Sequence, residues 1–148
     1  MIAVVSRVSS AVVTVSGREA GRIGKGLLVL LGVEKGDNDG DLEYIVRKVS
    51  GLRIFESGGK MDRSVVDTGG EILIVSQFTL SGDARKGKRP DFAGAADPES
   101  AMAMYKRCIE NFRTMGIRTA EGVFGAMMKV DSSGDGPVTI LLNSKRLY

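Results

Sequence analysis

The chain has no histidine at all and only one cysteine among its 148 residues. The first absence removes the Ser-His-Asp triad, the Cys-His pair and every histidine-based zinc site. Any catalysis must then rest on backbone dipoles, hydroxyls, carboxylates, lysine or a group on the substrate itself. A lone cysteine cannot form a disulfide within the chain, which agrees with a reducing compartment. Cys108 falls in a helix-like stretch between Tyr105 and Phe112 and reads as a buried apolar filler rather than a reactive thiol. Long hydrophobic runs are missing too. The longest, residues 27–31, is far too short to cross a bilayer. The first fifteen residues alternate and carry Arg7, unlike the continuous apolar block of a signal peptide. A cytoplasmic protein without a membrane partner is expected. No repeat, heptad run or low-complexity tract is evident, and no Asp/Glu cluster suggests a metal site. Neither a metal nor a cofactor is expected.

What is present fits one globular domain over residues 1–148: 43% hydrophobic and 26% charged residues are ordinary proportions. The net charge of +3 is mildly basic and compatible with an RNA partner without demanding one. Its distribution says more. Arg85, Lys86, Lys88 and Arg89 crowd residues 84–90 beside glycine and proline. They make either a solvated loop or a flexible arm for phosphates, whose binding would weaken steeply with salt.

The periodicities alternate between strand and helix. Residues 4–15 and 18–23 read as a meander turning at Gly17, and residues 26–33 as a strand apolar on both faces. Asp37 or Asn38 is placed to cap a helix whose apolar positions are Leu42, Ile45, Val46 and Val49. Residues 52–55 form a short extended piece, and 71–75 a buried strand that runs straight into Ser76-Gln77-Phe78-Thr79. Residues 82–96 make a long surface loop. Asp97 and Pro98 then open a second helix with an apolar stripe of Met104, Tyr105, Cys108, Ile109, Phe112 and Met115, closed at Gly116. Residues 117–124, 127–130 and 138–142 supply three more extended pieces. The pattern predicts an α/β chain of the α+β type: a curved antiparallel or mixed sheet, or small barrel, with two helices packed on one side.

Two segments can carry chemistry. At 76–79 three hydrogen-bonding side chains cluster where a buried strand opens into a loop, a common setting for catalytic groups. Equally, Ser and Thr at such an edge can simply satisfy local backbone. At 135–139, Asp-Gly-Pro-Val-Thr is an ordinary turn sequence, but also one where a cis peptide is affordable and another backbone or ligand can approach closely.

Taken together, the blocks AVVSRVSSAVVTV, IGKGLLVLLGVEKGD, LRIFE, GKMDRSV, GGEILIVSQFTL, RKGKRPDF, FGAMMKV and GPVT resemble the D-aminoacyl-tRNA deacylase family nearly end to end. SQFTL followed by GPVT at this distance is highly specific. The resemblance implies hydrolysis of the ester of D-aminoacyl-tRNA, rejection of L-aminoacyl-tRNA, and activity on glycyl-tRNA mischarged on tRNA-Ala. It implies a homodimer with active sites at the interface and tRNA as partner. Ser76, Gln77, Phe78 and Thr79 would hold the aminoacyl group and terminal adenosine. Gly136 and Pro137, in cis, would reach in from the opposite subunit as a chirality filter. Arg7 matches an arginine that steadies that filter, and Phe124 and Met128 match pocket positions. In this setting Arg85, Lys86, Lys88 and Arg89 are candidates for tRNA contact.

Departures from the family pattern fall outside both motifs. Gly134 replaces a frequent asparagine, Met127 a usual acidic residue, Lys129 a usual polar one, and Ile2 a more basic position. Thr79 is the nucleophile by residue type, but no base adjoins it. The alternative is that Thr79 positions groups while backbone N–H groups near Phe78 and Thr79 stabilise the oxyanion and the ribose 2′-hydroxyl orients water. Rival readings are a non-catalytic RNA-binding β-domain using the basic loop, and a purely structural dimer module.

Overall fold

The computed structural model describes residues 1–146. Its frame is one long strand, β1 (Ile2–Val15), whose two halves have different neighbours. The first half pairs antiparallel with β3 (Gly26–Gly32), the second with β2 (Arg18–Ile23), and both halves pair with β8 (Lys129–Asn143). Beyond β3 the sheet continues in parallel through β6 (Glu71–Ser76) to β7 (Thr119–Glu121). The sheet is therefore mixed, and it curls. Gly21 of β2 comes so close to β7 that a Cβ there would sit 2.5 Å from the Glu121 carbonyl oxygen. Only a residue without a side chain permits that approach, which brings the sheet near to closing as a barrel.

The apolar run in β3 follows from this geometry. Leu27, Val29 and Leu31 face the larger core cluster, shared with the helices, whereas Leu28 faces a smaller one inside the curl. Parallel neighbour β6 divides the same way: Ile72 and Ile74 outward to the helices, Leu73 and Val75 inward. Side-chain period two thus feeds two cores from one strand.

Helices α1 (Asp39–Gly51) and α3 (Pro98–Thr114) cover the outer face, as the patterning predicts. Asn38, rather than Asp37, caps α1. Its side chain accepts from the Gly40 N–H at 2.8 Å, while its own N–H donates to Asp41 Oδ2 at 2.9 Å. Asp97 caps α3 by accepting from the Ser100 N–H at 2.9 Å, with Pro98 in the first turn.

Three local features differ from expectation. A single-turn helix, α2 (Val65–Thr68), adds to the two long ones, held by the Ser64–Asp67 capping box. It follows a small hairpin of β4 (Phe55–Ser57) and β5 (Lys60–Arg63), too short to show a period of its own. The last two extended pieces are one strand, β8, because paired residues resume on both sides of the Gly-Pro interruption. Met115 leaves the apolar stripe and is exposed, since the helix ends there and Gly116 takes φ +79°. No helix is long and apolar enough to cross a membrane among the described residues.

Candidate functional site

Strand β6 ends at Ser76, opposite Leu31 in the parallel register, and the Gln77 N–H still donates to the Leu31 carbonyl at 2.7 Å. The chain then tightens into a 3-10 turn, Phe78–Ser81, with the Gly82 N–H donating to the Thr79 carbonyl at 3.0 Å. Gly32 makes room for this turn: a Cβ there would lie 3.0 Å from the Gln77 carbonyl oxygen and 3.1 Å from Leu80 Cβ. Gln77 begins the turn without capping it through its side chain. Its amide instead donates to Thr79 Oγ1. In a turn of this type the first N–H groups, those of Phe78 and Thr79, have no partner within the turn.

These residues edge a cleft of about 690 Å³. Leu31, Val33 and Val75 form its apolar base, Pro98, Ala101 and Tyr105 of α3 one flank, and residues 124–128 with Val130 the other. Among the described residues, none that lines the cleft carries a formal charge. The Tyr105 hydroxyl donates to the Ile74 carbonyl at 2.9 Å, and burial, then the nearby Glu121, raises its pKa, so it stays neutral. The polar chemistry of the cleft is concentrated in residues 76–79, a few donors and acceptors set in an apolar pocket.

The sequence candidates divide into three places. Ser76, Gln77, Phe78 and Thr79 meet Phe124 and Met128 at the cleft. Gly136 and Pro137 lie elsewhere, in an exposed bulge of β8 where residues 135–138 face the single residue Arg7 of β1. The Gly136-Pro137 peptide is cis, and Gly136 has φ +124°. A Cβ on Gly136 would meet Val138 Cγ2 at 2.9 Å and its backbone nitrogen at 3.0 Å. Arg7 is buried, at 6% exposure, beneath this bulge. Its Nε donates to the Asp135 carbonyl at 3.1 Å and pairs with Asp135 Oδ2 at 3.1 Å; its Nη1 donates to the Ile54 carbonyl at 2.5 Å. One guanidinium thus ties the bulge to the base of the small hairpin.

Arg85, Lys86, Lys88 and Arg89 occupy the exposed end of the 82–96 loop. Reciprocal backbone hydrogen bonds between Asp83 and Asp91, at 2.8 and 2.9 Å, close its base. Arg85 is engaged by Asp83 at 2.9 and 2.6 Å and holds that carboxyl down to about 2, leaving Lys86, Lys88 and Arg89 as the freer cations of the cluster. The loop is coupled to the cleft. Phe92 meets Phe78 edge-on at 5.2 Å, and Ala95 and Ala96 line the cleft wall.

Tyr105 and Met127 are among the cleft residues that sequence reasoning did not single out. Tyr105 reads as a packing residue from its helical stripe, but a tyrosine there has a hydroxyl to satisfy, and that is the signal for a second role. Met127, noted only as a departure, sits at the cleft mouth with 92% exposure. Cys108 is inert as expected, since burial pushes its thiol up to about 12. Among the described residues no three His, Cys, Asp or Glu side chains gather where they could hold a metal ion.

A family model described as D-Tyr-tRNA(Tyr) deacylase matches residues 4–143. A relative named D-aminoacyl-tRNA deacylase from Desulfitobacterium hafniense is 55% identical, covering 100% of both chains. Another of that name from Koribacter versatilis is 56% identical over the same full extent. Among solved structures, one described as c-Myc DNA Unwinding Element Binding Protein aligns with TM-score 0.91 and 45% identity, over 97% of this chain and 98% of that one. A structure described as a probable eukaryotic D-amino acid tRNA deacylase aligns with TM-score 0.81 over 95% and 97% of the two chains. At 20% identity it speaks to the shared fold alone.

Proposed function

The chain belongs to the D-Tyr-tRNA(Tyr) deacylase family, and on that premise we propose how this hydrolase of D-aminoacyl-tRNA selects and cuts its substrate. The terminal adenosine and aminoacyl ester enter the neutral cleft edged by Ser76, Gln77, Phe78 and Thr79, against Phe124 and Met128. The observation that carries this reading is the start of the 3-10 turn: Gln77 leaves its first N–H groups without a side-chain cap, at the cleft edge. Those of Phe78 and Thr79 receive the ester carbonyl oxygen as negative charge develops on it.

Thr79 positions and does not attack. Its hydroxyl already accepts from the Gln77 amide, and among the described residues no lysine or carboxylate lines the cleft to take its proton. Water is the nucleophile, oriented by the adjacent ribose 2′-hydroxyl, and the ester bond breaks to free D-amino acid and tRNA. No metal takes part.

Gly136 and Pro137 act as the chirality filter of a second copy's cleft. Within one chain they stand in an exposed bulge and do not line the cleft, which supports completion of the site by a second copy in a homodimer. Their backbone occupies the space that an L side chain needs. A rigid main chain can exclude an enantiomer more severely than the ~1–3 kcal/mol won from one missing methyl-sized contact. Arg7, gripping Asp135 and Ile54, holds the filter in place. Glycine has no side chain to exclude, so glycyl-tRNA mischarged on tRNA-Ala is also a substrate. Lys86, Lys88 and Arg89, with Arg85, guide the tRNA end from the loop that carries Phe92. The work belongs in the cytoplasm, where aminoacyl-tRNA is used.

Hydrolysis of D-tyrosyl-tRNA and L-tyrosyl-tRNA, measured side by side with EDTA present, tests the reading. Turnover of the D ester with the L ester spared is expected. Salt-sensitive tRNA binding without hydrolysis would instead establish a non-catalytic RNA-binding domain.

A further inference from the structure

Away from the cleft, three cations surround one aromatic ring. Arg47 and Lys48, on α1, place their charged groups 5.7 Å from the centroid of the Tyr44 ring, and Arg146 places its guanidinium 5.9 Å from it. Tyr44 is half-buried, its side chain packed against the main core. Among the described residues, none of the three cations has a carboxylate within ion-pair distance. Asp39 holds Arg107 at 2.7 Å, and Lys145 reaches Glu34 at 3.4 Å and Asp37 at 3.5 Å; Glu43, exposed one turn before Arg47 on α1, borders the same recess as Arg47 without pairing with it.

Arg146 is brought there at a backbone cost. It has φ +55°, a left-handed conformation unusual for a residue with a side chain. The turn is built to hold it: the buried Asn143 accepts from the Lys145 N–H at 2.8 Å through its side chain and from the Arg146 N–H at 3.0 Å through its carbonyl. Strain retained by surrounding hydrogen bonds and spent on gathering like charges marks a binding device more than a stabilising one. Ring contacts offset part of the repulsion among the cations, and an incoming polyanion offsets the rest.

Resting on the reading that tRNA is the substrate, we propose that Tyr44, Arg47, Lys48 and Arg146 form a second contact, for the phosphodiester backbone of that tRNA beyond its 3′ end. None of the four lines the cleft. The patch therefore contributes to holding the whole tRNA and leaves the chemistry of its aminoacylated end untouched. With its neighbourhood occupied by cations, the ring presents charge and not a platform for stacking bases.

The test compares the wild-type dimer with a triple variant, Arg47→Ala with Lys48→Ala and Arg146→Ala. Two substrates are used: full-length D-tyrosyl-tRNA and a D-tyrosyl ester of the terminal trinucleotide. Binding of uncharged tRNA is measured separately on filters across salt concentrations. The triple variant should bind uncharged tRNA about tenfold or more weakly, with a salt slope shallower by about 2, the scale of two or three lost phosphate contacts. Its KM for full-length substrate should rise in step, with turnover of the short ester unchanged. Arg22→Ala, which removes a cation already paired with Glu19 at 2.7 Å, is the charge control and should change neither. Unaltered tRNA binding in the triple variant, equal losses on both substrates, or a matching loss in Arg22→Ala would each overturn the proposal. If the wild type binds tRNA through this patch but hydrolyses neither ester, the patch stands and the catalytic reading falls.

Discussion

In the proposed mechanism the chemistry turns on Thr79. Its Oγ1 accepts from the Gln77 amide, so one of its two lone pairs already serves to order the turn. A positioning hydroxyl and a nucleophile make different demands on a substitution. If Thr79 positions, Thr79→Ala lowers kcat by about ten- to a hundredfold, the scale of one or two hydrogen bonds to the reacting groups. Residual turnover then remains measurable, and no acyl-enzyme accumulates in the wild type. Quench-flow with intact-mass spectrometry decides it: a trapped adduct on Thr79 together with background turnover in the variant would establish covalent catalysis. Residue type alone leaves both roles open. The hydrogen-bond partner and the uncharged lining of the cleft argue for the first.

Element boundaries were the most legible feature, because caps and turns are written in adjacent residues. Asn38 and Asp97 stand where capping chemistry requires them, and Leu42, Ile45, Val46 and Val49 bury themselves as their spacing predicts. The Asn38 box ties both its side chain and its backbone N–H to the first turn of α1. Asn38→Ala should therefore cost ~1 kcal/mol of stability. For a chain of this size that lowers Tm by about 2–4 °C with no change in kcat, read by thermal unfolding beside the tyrosyl-tRNA assay. A loss of turnover without a fall in Tm would show that the α1 entry is part of the active site. Less legible were the elements whose identity depends on a partner. The one-turn α2 and the 55–63 hairpin have no amphipathic period to read, and β8 looks like two strands because its bulge is defined only by pairing with β1.

Across the whole molecule, the two specific motifs do not meet within one chain. Residues 76–79 lie at the end of β6, and Gly136-Pro137 in the β8 bulge above Arg7. If a homodimer completes each site, two inactive variants can repair one another. Thr79→Ala and Gly136→Val, the latter clashing with Val138 at a φ of +124°, should each be impaired alone. Unfolded and refolded together, they form heterodimers in which one of the two sites is intact. Random mixing then restores roughly a quarter of the wild-type rate. Activity of the mixture equal to the average of the separate variants would place both motifs in the service of one chain.

Much of this protein is determined by its sequence alone: the strand and helix periods, the caps, the absence of histidine chemistry, and two motifs specific enough to name a family. These are short-range properties, set by each residue and its near neighbours. Tertiary structure alone decided which of them share a place. Sheet register and curl bring residues 76–79, Tyr105 and residues 124–128 around one neutral cleft, with Phe92 packed on Phe78, and hold Gly136 and Pro137 outside it. Distance along the chain carries no information about such meetings. They follow from hydrogen-bond pairing between strands far apart in sequence and from the close approach that Gly21 and Gly32 permit.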